Sequence, residues 1–214
     1  ETLKEKIIRC LLPLRHMELA ANMNNVLCTA YGTSTVLTQA FLYNGMDRLG
    51  IAQYLSRIGL LLDGNSTESL ATAKAYWMSD SAWQGLRRYA ENSLVVEDWF
   101  EVFVAQDVVI DTLIYDLMYR QFDDVITAAG GGDLAMLIEF MQEWHKDNSR
   151  WVDATLKSTV AESDQNREQI RSWVDDWQEK AVADLAPLAE IAVGEGAIHE
   201  CVAALNKRLA KAGL

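Results

Sequence analysis

Leu94-Val-Val-Glu-Asp-Trp-Phe-Glu-Val-Phe-Val-Ala-Gln-Asp-Val-Val-Ile-Asp-Thr-Leu-Ile-Tyr-Asp-Leu-Met-Tyr119 decides the fold class. Its Trp99, Val102, Phe103, Ile110, Leu113, Ile114 and Leu117 recur at three- and four-residue steps, the period of one helix face. Working outward, the same period fills most of the chain. Between Val36 and Leu62 there are two apolar stripes. One holds Leu37, Ala40, Phe41, Ile51, Leu55, Ile58 and Leu62, the other Leu42, Met46, Leu49 and Leu60. A helix apolar on two sides belongs in the middle of a bundle, so 36–62 is expected there.

Punctuation supports an all-α reading. Asp63-Gly-Asn-Ser-Thr closes the 36–62 helix, and Ser66 or Thr67 is placed to cap the next. Gly130-Gly-Gly separates the helix at 94–128 from another starting near Asp133. Ser163 precedes a helix running towards Pro187. A C-terminal helix lies within 192–214, from about Gly196 to Lys211, where Lys207, Arg208 and Lys211 suit the negative end of its dipole. The expected architecture is a bundle of about eight helices, occupying 1–214 as a single domain.

Composition narrows function mainly by exclusion. The net charge of −12 opposes sequence-independent binding to nucleic acid, which needs a basic surface. No apolar run is long enough for a membrane span, and no secretory signal is visible at Glu1-Thr-Leu-Lys-Glu-Lys. The first residue is not methionine, which fits a fragment or a processed product. Cys10, Cys28 and Cys201 are odd in number and form no CxxC pair. They are expected as buried thiols in a reducing, cytoplasmic setting.

The ligand chemistry of a di-iron bundle requires four carboxylates and two histidines, supplied partly by paired Glu-x-x-His motifs. No Glu-x-x-His occurs here. Glu143 and His145 are two apart, so on a helix they diverge by about 200°. Glu195 and His199 have i,i+4 spacing but no second pair. His16, beside Arg15, is expected as a surface or core hydrogen bonder rather than a general base. Walker, GxGxxG, GxSxG and zinc-type patterns are missing too. The seven tryptophans, 77, 83, 99, 144, 151, 173 and 177, are expected as core and interface anchors. Trp173 and Trp177, one turn apart, could form a contact ridge, and the acidic run 175–179 a solvated face.

Five blocks, in this order, resemble the β subunits (component L type) of bacterial multicomponent di-iron monooxygenases, especially the phenol hydroxylases. They are Pro13-Leu-Arg-His-Met-Glu-Leu-Ala-Ala-Asn-Met-Asn-Asn25, Met46-Asp-Arg-Leu-Gly-Ile-Ala-Gln-Tyr-Leu-Ser-Arg-Ile-Gly-Leu60, Trp83-Gln-Gly-Leu-Arg-Arg88, Val96-Glu-Asp-Trp-Phe100 and Ser149-Arg-Trp-Val-Asp153. Chains of that family are longer, with an N-terminal region that this sequence lacks. The resemblance implies a ferritin-like helical bundle with additional helices.

It also implies an α₂β₂γ₂ hydroxylase in which only the α subunit carries the di-iron centre. A reductase passing electrons from NADH and a small regulatory protein would act on the complex. The implied reaction is hydroxylation of phenol or a related aromatic with O₂. Toluene, alkene or alkane substrates are the alternative. A free-standing helical interaction module and an autonomous ferritin-like oxidase are rivals of other classes.

Laid over the iron-bearing α chains, the ligand positions here would be Met46 and Leu49, or Asp47 and Gly50, together with Gln106, Asn148 and Trp151. Glu18 keeps the one remaining carboxylate. The resemblance therefore implies no catalytic, cofactor-binding or metal-binding residue in this chain, and a former site filled as ordinary packed core. Arg48 lies along an apolar stripe and, if buried, needs a carboxylate; Glu18 and Asp47 are the candidates.

Overall fold

The computed structural model describes residues 2–214. Among these residues there are nine helices and no strand. They are α1 (Leu3–Cys10), α2 (Leu14–Tyr31), α3 (Thr35–Leu62), α4 (Glu68–Ser79), α5 (Ser81–Ser93), α6 (99–128), α7 (Gly132–Glu162), α8 (Asp164–Ala192) and α9 (Ala197–Ala212). This is the expected all-α, ferritin-like bundle: α2, α3, α6 and α7 surround a common centre, α8 and α9 pack on α6, and α5 packs on α8 and α2. No helix among the described residues is long and apolar enough to cross a membrane.

The middle of the bundle is α6, not α3. Every residue from Val102 to Tyr115 is buried, so α6 is covered on all sides. In α3 only the stripe through Phe41, Ile51, Leu55 and Ile58 turns inward. Its second stripe faces out, with Leu42, Met46 and Leu49 exposed. Periodicity reports two apolar faces equally well whether the second meets the core or lies on the surface.

The first turn of α6 begins at Trp99 rather than near Leu94, because Asp98 caps it. The Asp98 carboxylate accepts from the backbone N–H of Phe100 at 2.8 Å and of Glu101 at 3.3 Å. Within α6 the α-helical ladder is twice replaced by i→i+5 bonding, over Val104–Ile110 and Tyr115–Gln121. Such wide turns set residues five apart above one another. Gln106 Nε2 accordingly donates to Asp111 Oδ1 at 2.8 Å, and Gln121 Nε2 to Asp116 Oδ2 at 3.1 Å.

Asp63 and Ser66 share the start of α4: Asp63 Oδ2 accepts from Ser69 N at 2.5 Å and Ser66 Oγ from Glu68 N at 3.2 Å. Ser163 caps α8 as expected, accepting from Asn166 N at 3.0 Å. That helix passes through Pro187 and ends at Ala192. The C-terminal helix is therefore confined to Ala197–Ala212, separated by Gly194 and Gly196, both at positive φ. Gly85 of α5 is also required: a Cβ there would lie 2.7 Å from Asp184 Cα on α8. Arg208 does more than suit a dipole, pairing with Asp153 of α7 and donating to Thr112 Oγ1 of α6 at 2.6 Å.

Candidate functional site

The centre of the bundle is polar. Glu18, Asn24 and Asn25 of α2, Asn44 and Arg48 of α3, and Gln106, Asp107 and Asp111 of α6 are all buried. Inward-facing steps along α3 run Phe41, Asn44, Arg48, Ile51, Leu55, so Asn44 and Arg48 share the face that meets α2 and α6.

Arg48 is the hub. Its Nη1 donates to Glu18 Oε2 at 2.9 Å and to the Tyr115 hydroxyl at 2.9 Å, while Nη2 pairs with Asp111. The Tyr115 hydroxyl in turn donates to Glu18 Oε1 at 3.1 Å. Asp111 is held by Gln106, and Gln106 Oε1 accepts from Asn24 Nδ2 at 2.9 Å. Asn24 also reaches Ser93 Oγ of α5 at 2.9 Å. A second cluster adjoins the first: Asp107 Oδ1 accepts from Asn44 at 2.8 Å and from Asn25 at 3.2 Å.

Burial opposes the charge on Arg48, but Tyr115, Glu18 and Asp107 outweigh it and hold the guanidinium protonated. Burial pushes the Asp107 carboxyl up to about 6, against the pull of Arg48 and the Asn25 and Asn44 amides. Trp144 of α7 lies over the Arg48 guanidinium at 4.7 Å, and its indole N–H donates to Asp47 at 2.9 Å. His145 stacks on Tyr115 at 4.5 Å. Burial first, then Arg208 and Arg48, lower its pKa to about 3, so it is neutral.

A di-iron centre does not fit these residues. It needs four carboxylates and two imidazoles converging on the metals. Here a permanent cation stands between Glu18 and Asp111, and among the described residues no three His, Cys, Asp or Glu side chains are placed to hold a metal ion.

The ligand positions implied by resemblance are dispersed. Glu18 and Gln106 are in the centre, and Glu18 is the Arg48 partner that the sequence suggested. Met46, Asp47, Leu49 and Gly50 all face outward, so neither register on α3 points at the centre; Asn44 and Arg48 do. Asp47 partners Trp144 rather than Arg48. Asn148 and Trp151 bond to each other at 2.6 Å, and the Trp151 ring packs on Phe41 and Phe103. Where an ordinary packed core was expected, the bundle centre holds a buried ion triad and amides.

Sequence reasoning missed Asp107, Asp111, Tyr115, Asn24, Asn25 and Asn44. The signal was there in Asp107 and Asp111, two carboxylates four apart within an apolar run.

Other candidates separate. Glu195 and His199 are exposed, and Glu195 precedes α9, so they share no helix face. His16 stacks on Trp77, and burial, Arg15 and Lys74 lower its pKa to about 4. The Trp173–Trp177 ridge does not form: Trp177 is buried and donates to Glu101 Oε1 at 2.9 Å. All three cysteines are buried.

The outer face of the α2–α3 hairpin is the second candidate. From Met17 to Met46 the only charged residue is Glu18, which points inward. Outward point Leu19, Met23 and Val26 of α2 and Leu42, Met46 and Leu49 of α3, with Met46 63% exposed. A contiguous apolar face of this kind on a chain of net charge −12 has the composition of an interface.

Comparison with known proteins adds relatives to this geometry. The family model described as Methane/Phenol/Alkene Hydroxylase matches residues 1–163. The oxygenase component DmpL of phenol 2-monooxygenase from Pseudomonas sp. (strain CF600) is 52% identical over 212 residues, 99% of this chain and 64% of that one. The corresponding component MhpL from Acinetobacter pittii (strain PHEA-2) is 46% identical over 211 residues, again 99% and 64%. A chain of the xenon-pressurised crystal structure of phenol hydroxylase from Pseudomonas sp. OX1 superposes with a TM-score of 0.97 at 44% identity, covering 99% of this chain and 65% of that one. The chain thus spans 64% of the length of the curated relatives it matches.

Proposed function

We infer the role of this chain from its kinship: it belongs to the methane/phenol/alkene hydroxylase family, and its bundle centre is occupied by an arginine. On that basis it is the non-catalytic, structural β subunit of a bacterial multicomponent di-iron monooxygenase. The complex hydroxylates phenol or a related aromatic, using O₂ and electrons derived from NADH. Phenol is preferred over toluene, alkenes or alkanes because the relatives sharing about half of its residues are phenol 2-monooxygenase components.

The observation that carries the non-catalytic reading is Arg48 between Glu18 and Asp111. A guanidinium fixed by two carboxylates repels a divalent ion at the same place and uses the oxygens that would ligate it. This chain then contributes no catalytic, cofactor-binding or metal-binding residue. The di-iron centre belongs to an α partner, in an α₂β₂γ₂ assembly served by a reductase and a regulatory protein. We place the complex in the cytoplasm and treat 1–214 as one ferritin-like domain. The outer face of α2 and α3 supplies the apolar surface against which α packs.

Two measurements test this reading. Purified alone, the chain is expected to carry no stoichiometric iron; a tightly bound iron pair that reacts with O₂ to give a peroxo-type absorption overturns it. Co-expressed with an α chain of the same family, the chain is expected to co-purify as a stable complex. A monodisperse monomer that ignores α overturns the subunit role while leaving the structure of the centre untouched.

A further inference from the structure

A single cation is held at the bundle centre by groups from three other helices. Arg48 itself comes from α3, Glu18 from α2, Asp111 and Tyr115 from α6, and Trp144 from α7. Each carboxylate takes a different terminal nitrogen, and the two aromatic faces lie over the guanidinium carbon at 4.7 Å for Trp144 and 5.2 Å for Tyr115. The side chain is 1% exposed. The arrangement matches the properties that distinguish a guanidinium from other cations: a flat shape, a fork of separated donors and a weakly hydrated face that stacks on aromatic rings.

We propose that this centre is a cation-binding site for flat, delocalised monocations, with the Arg48 side chain as its built-in occupant. Emptied of that side chain, it takes up guanidinium-class ions from solution in preference to alkali or divalent metal ions. The preference follows from the lining. Two carboxylates placed for separate nitrogens do not converge on one small ion, indole and phenol faces are not metal ligands, and no third carboxylate or imidazole is placed to complete a metal set. The emptied site still demands a positive charge, because Glu18 and Asp111 would otherwise face each other across a buried gap. Entry is short: Trp144 is half-buried and reaches from the guanidinium to the exposed Asp47. The inference is independent of the subunit role above, since it concerns only the interior of this chain.

The test is thermal unfolding of the full chain carrying R48A, with additives at millimolar concentrations that do not denature. Guanidinium and methylguanidinium are expected to raise the unfolding midpoint of R48A by roughly 3–5 °C at about ten times their dissociation constant. Urea, which has the shape without the charge, and potassium, which has the charge without the shape, are expected to leave it unchanged. The wild-type chain, whose site is filled, should respond to none of them. The proposal is overturned if guanidinium acts equally on wild type and R48A, or if magnesium or cobalt stabilises R48A more than guanidinium does. If R48A does not fold, R48A/D111N, with one buried carboxylate fewer, replaces it and must show the same ranking of additives; a flat response there overturns the proposal as well.

Discussion

Over its central stretch, Glu18–Asn25 against Asn44–Arg48, the α2–α3 hairpin is polar on its inner face and apolar on its outer one. Inward point Glu18, Asn24, Asn25, Asn44 and Arg48; outward point Leu19, Met23, Val26, Leu42, Met46 and Leu49. In most surface helices the assignment is opposite, because apolar area gains about 25 cal/mol per Å² on leaving water and buried charge is costly. The difference teaches where each face finds its partner. The inner face finds its partners within the chain, chiefly on α6 and α7, although Asn24 Oδ1, Asn44 Oδ1 and Arg48 Nε are buried without a hydrogen bond. The outer face is covered by nothing among the described residues, and in the proposed assembly it is covered by α.

The largest blow to this comparison is the loss of its inner hub. R48A leaves Glu18 and Asp111 buried without their cation, and is expected to cost about 3–5 kcal/mol in urea unfolding. Recovery of much of that loss in R48A/E18Q/D111N would confirm that unpaired charge, rather than lost volume, is responsible.

Next in size is the pH dependence set by Asp107. Its folded carboxyl holds a proton up to about pH 6, against a reference of 3.8, so between these values the folded state binds more protons than the unfolded one. Stability is therefore expected to fall as pH rises through this window, by about 2–3 kcal/mol. D107N removes the titration while keeping the oxygen that accepts from Asn25 and Asn44. Its stability curve should be flatter over the same range, and an unchanged slope would assign the titration elsewhere.

The outer face is sharpened by M46D. A charge at this exposed position is expected to weaken association with the α partner by about tenfold or more, near 1.4 kcal/mol, read by co-purification or calorimetry. The unfolding free energy of the isolated chain should change by less than about 0.5 kcal/mol. Of similar size is Y115F, which removes the hydroxyl bridging Arg48 and Glu18; the expected loss is about 1–2 kcal/mol, with the aromatic stacking kept.

Much of the fold was legible in the sequence because its signals are local. Ser66 and Ser163 cap helices through neighbours two or three residues away, and the Gly130-Gly-Gly break falls where expected, whereas the Asp98 cap that starts α6 was not anticipated. The site was only half legible. Glu18, Gln106 and the Glu18–Arg48 pair could be anticipated, since a basic residue on an apolar stripe must find a carboxylate. Asp111 could not be paired with Gln106 on a 3.6-residue period, because five-residue spacing brings side chains together only in a wide turn. The outward orientation of Met46 and Leu49 was hidden for another reason: an apolar stripe does not say whether it meets its own core or another surface.

The two wide stretches of α6 also bear on how this sequence can be edited. A wide turn holds one residue more than the same arc of ordinary helix. Deleting a residue within 104–110 would therefore let that segment relax into regular winding, with little local disturbance. Everything downstream would keep its phase, because the lost residue is the one the wide turn had taken up. Tyr115 would stay beside Arg48, and Gln106 and Asp111, then four apart, would still share a face. A deletion in a regularly wound stretch would instead turn one half of the helix against the other by about 100°. In α6, then, the number of residues between contacts matters as much as their identity.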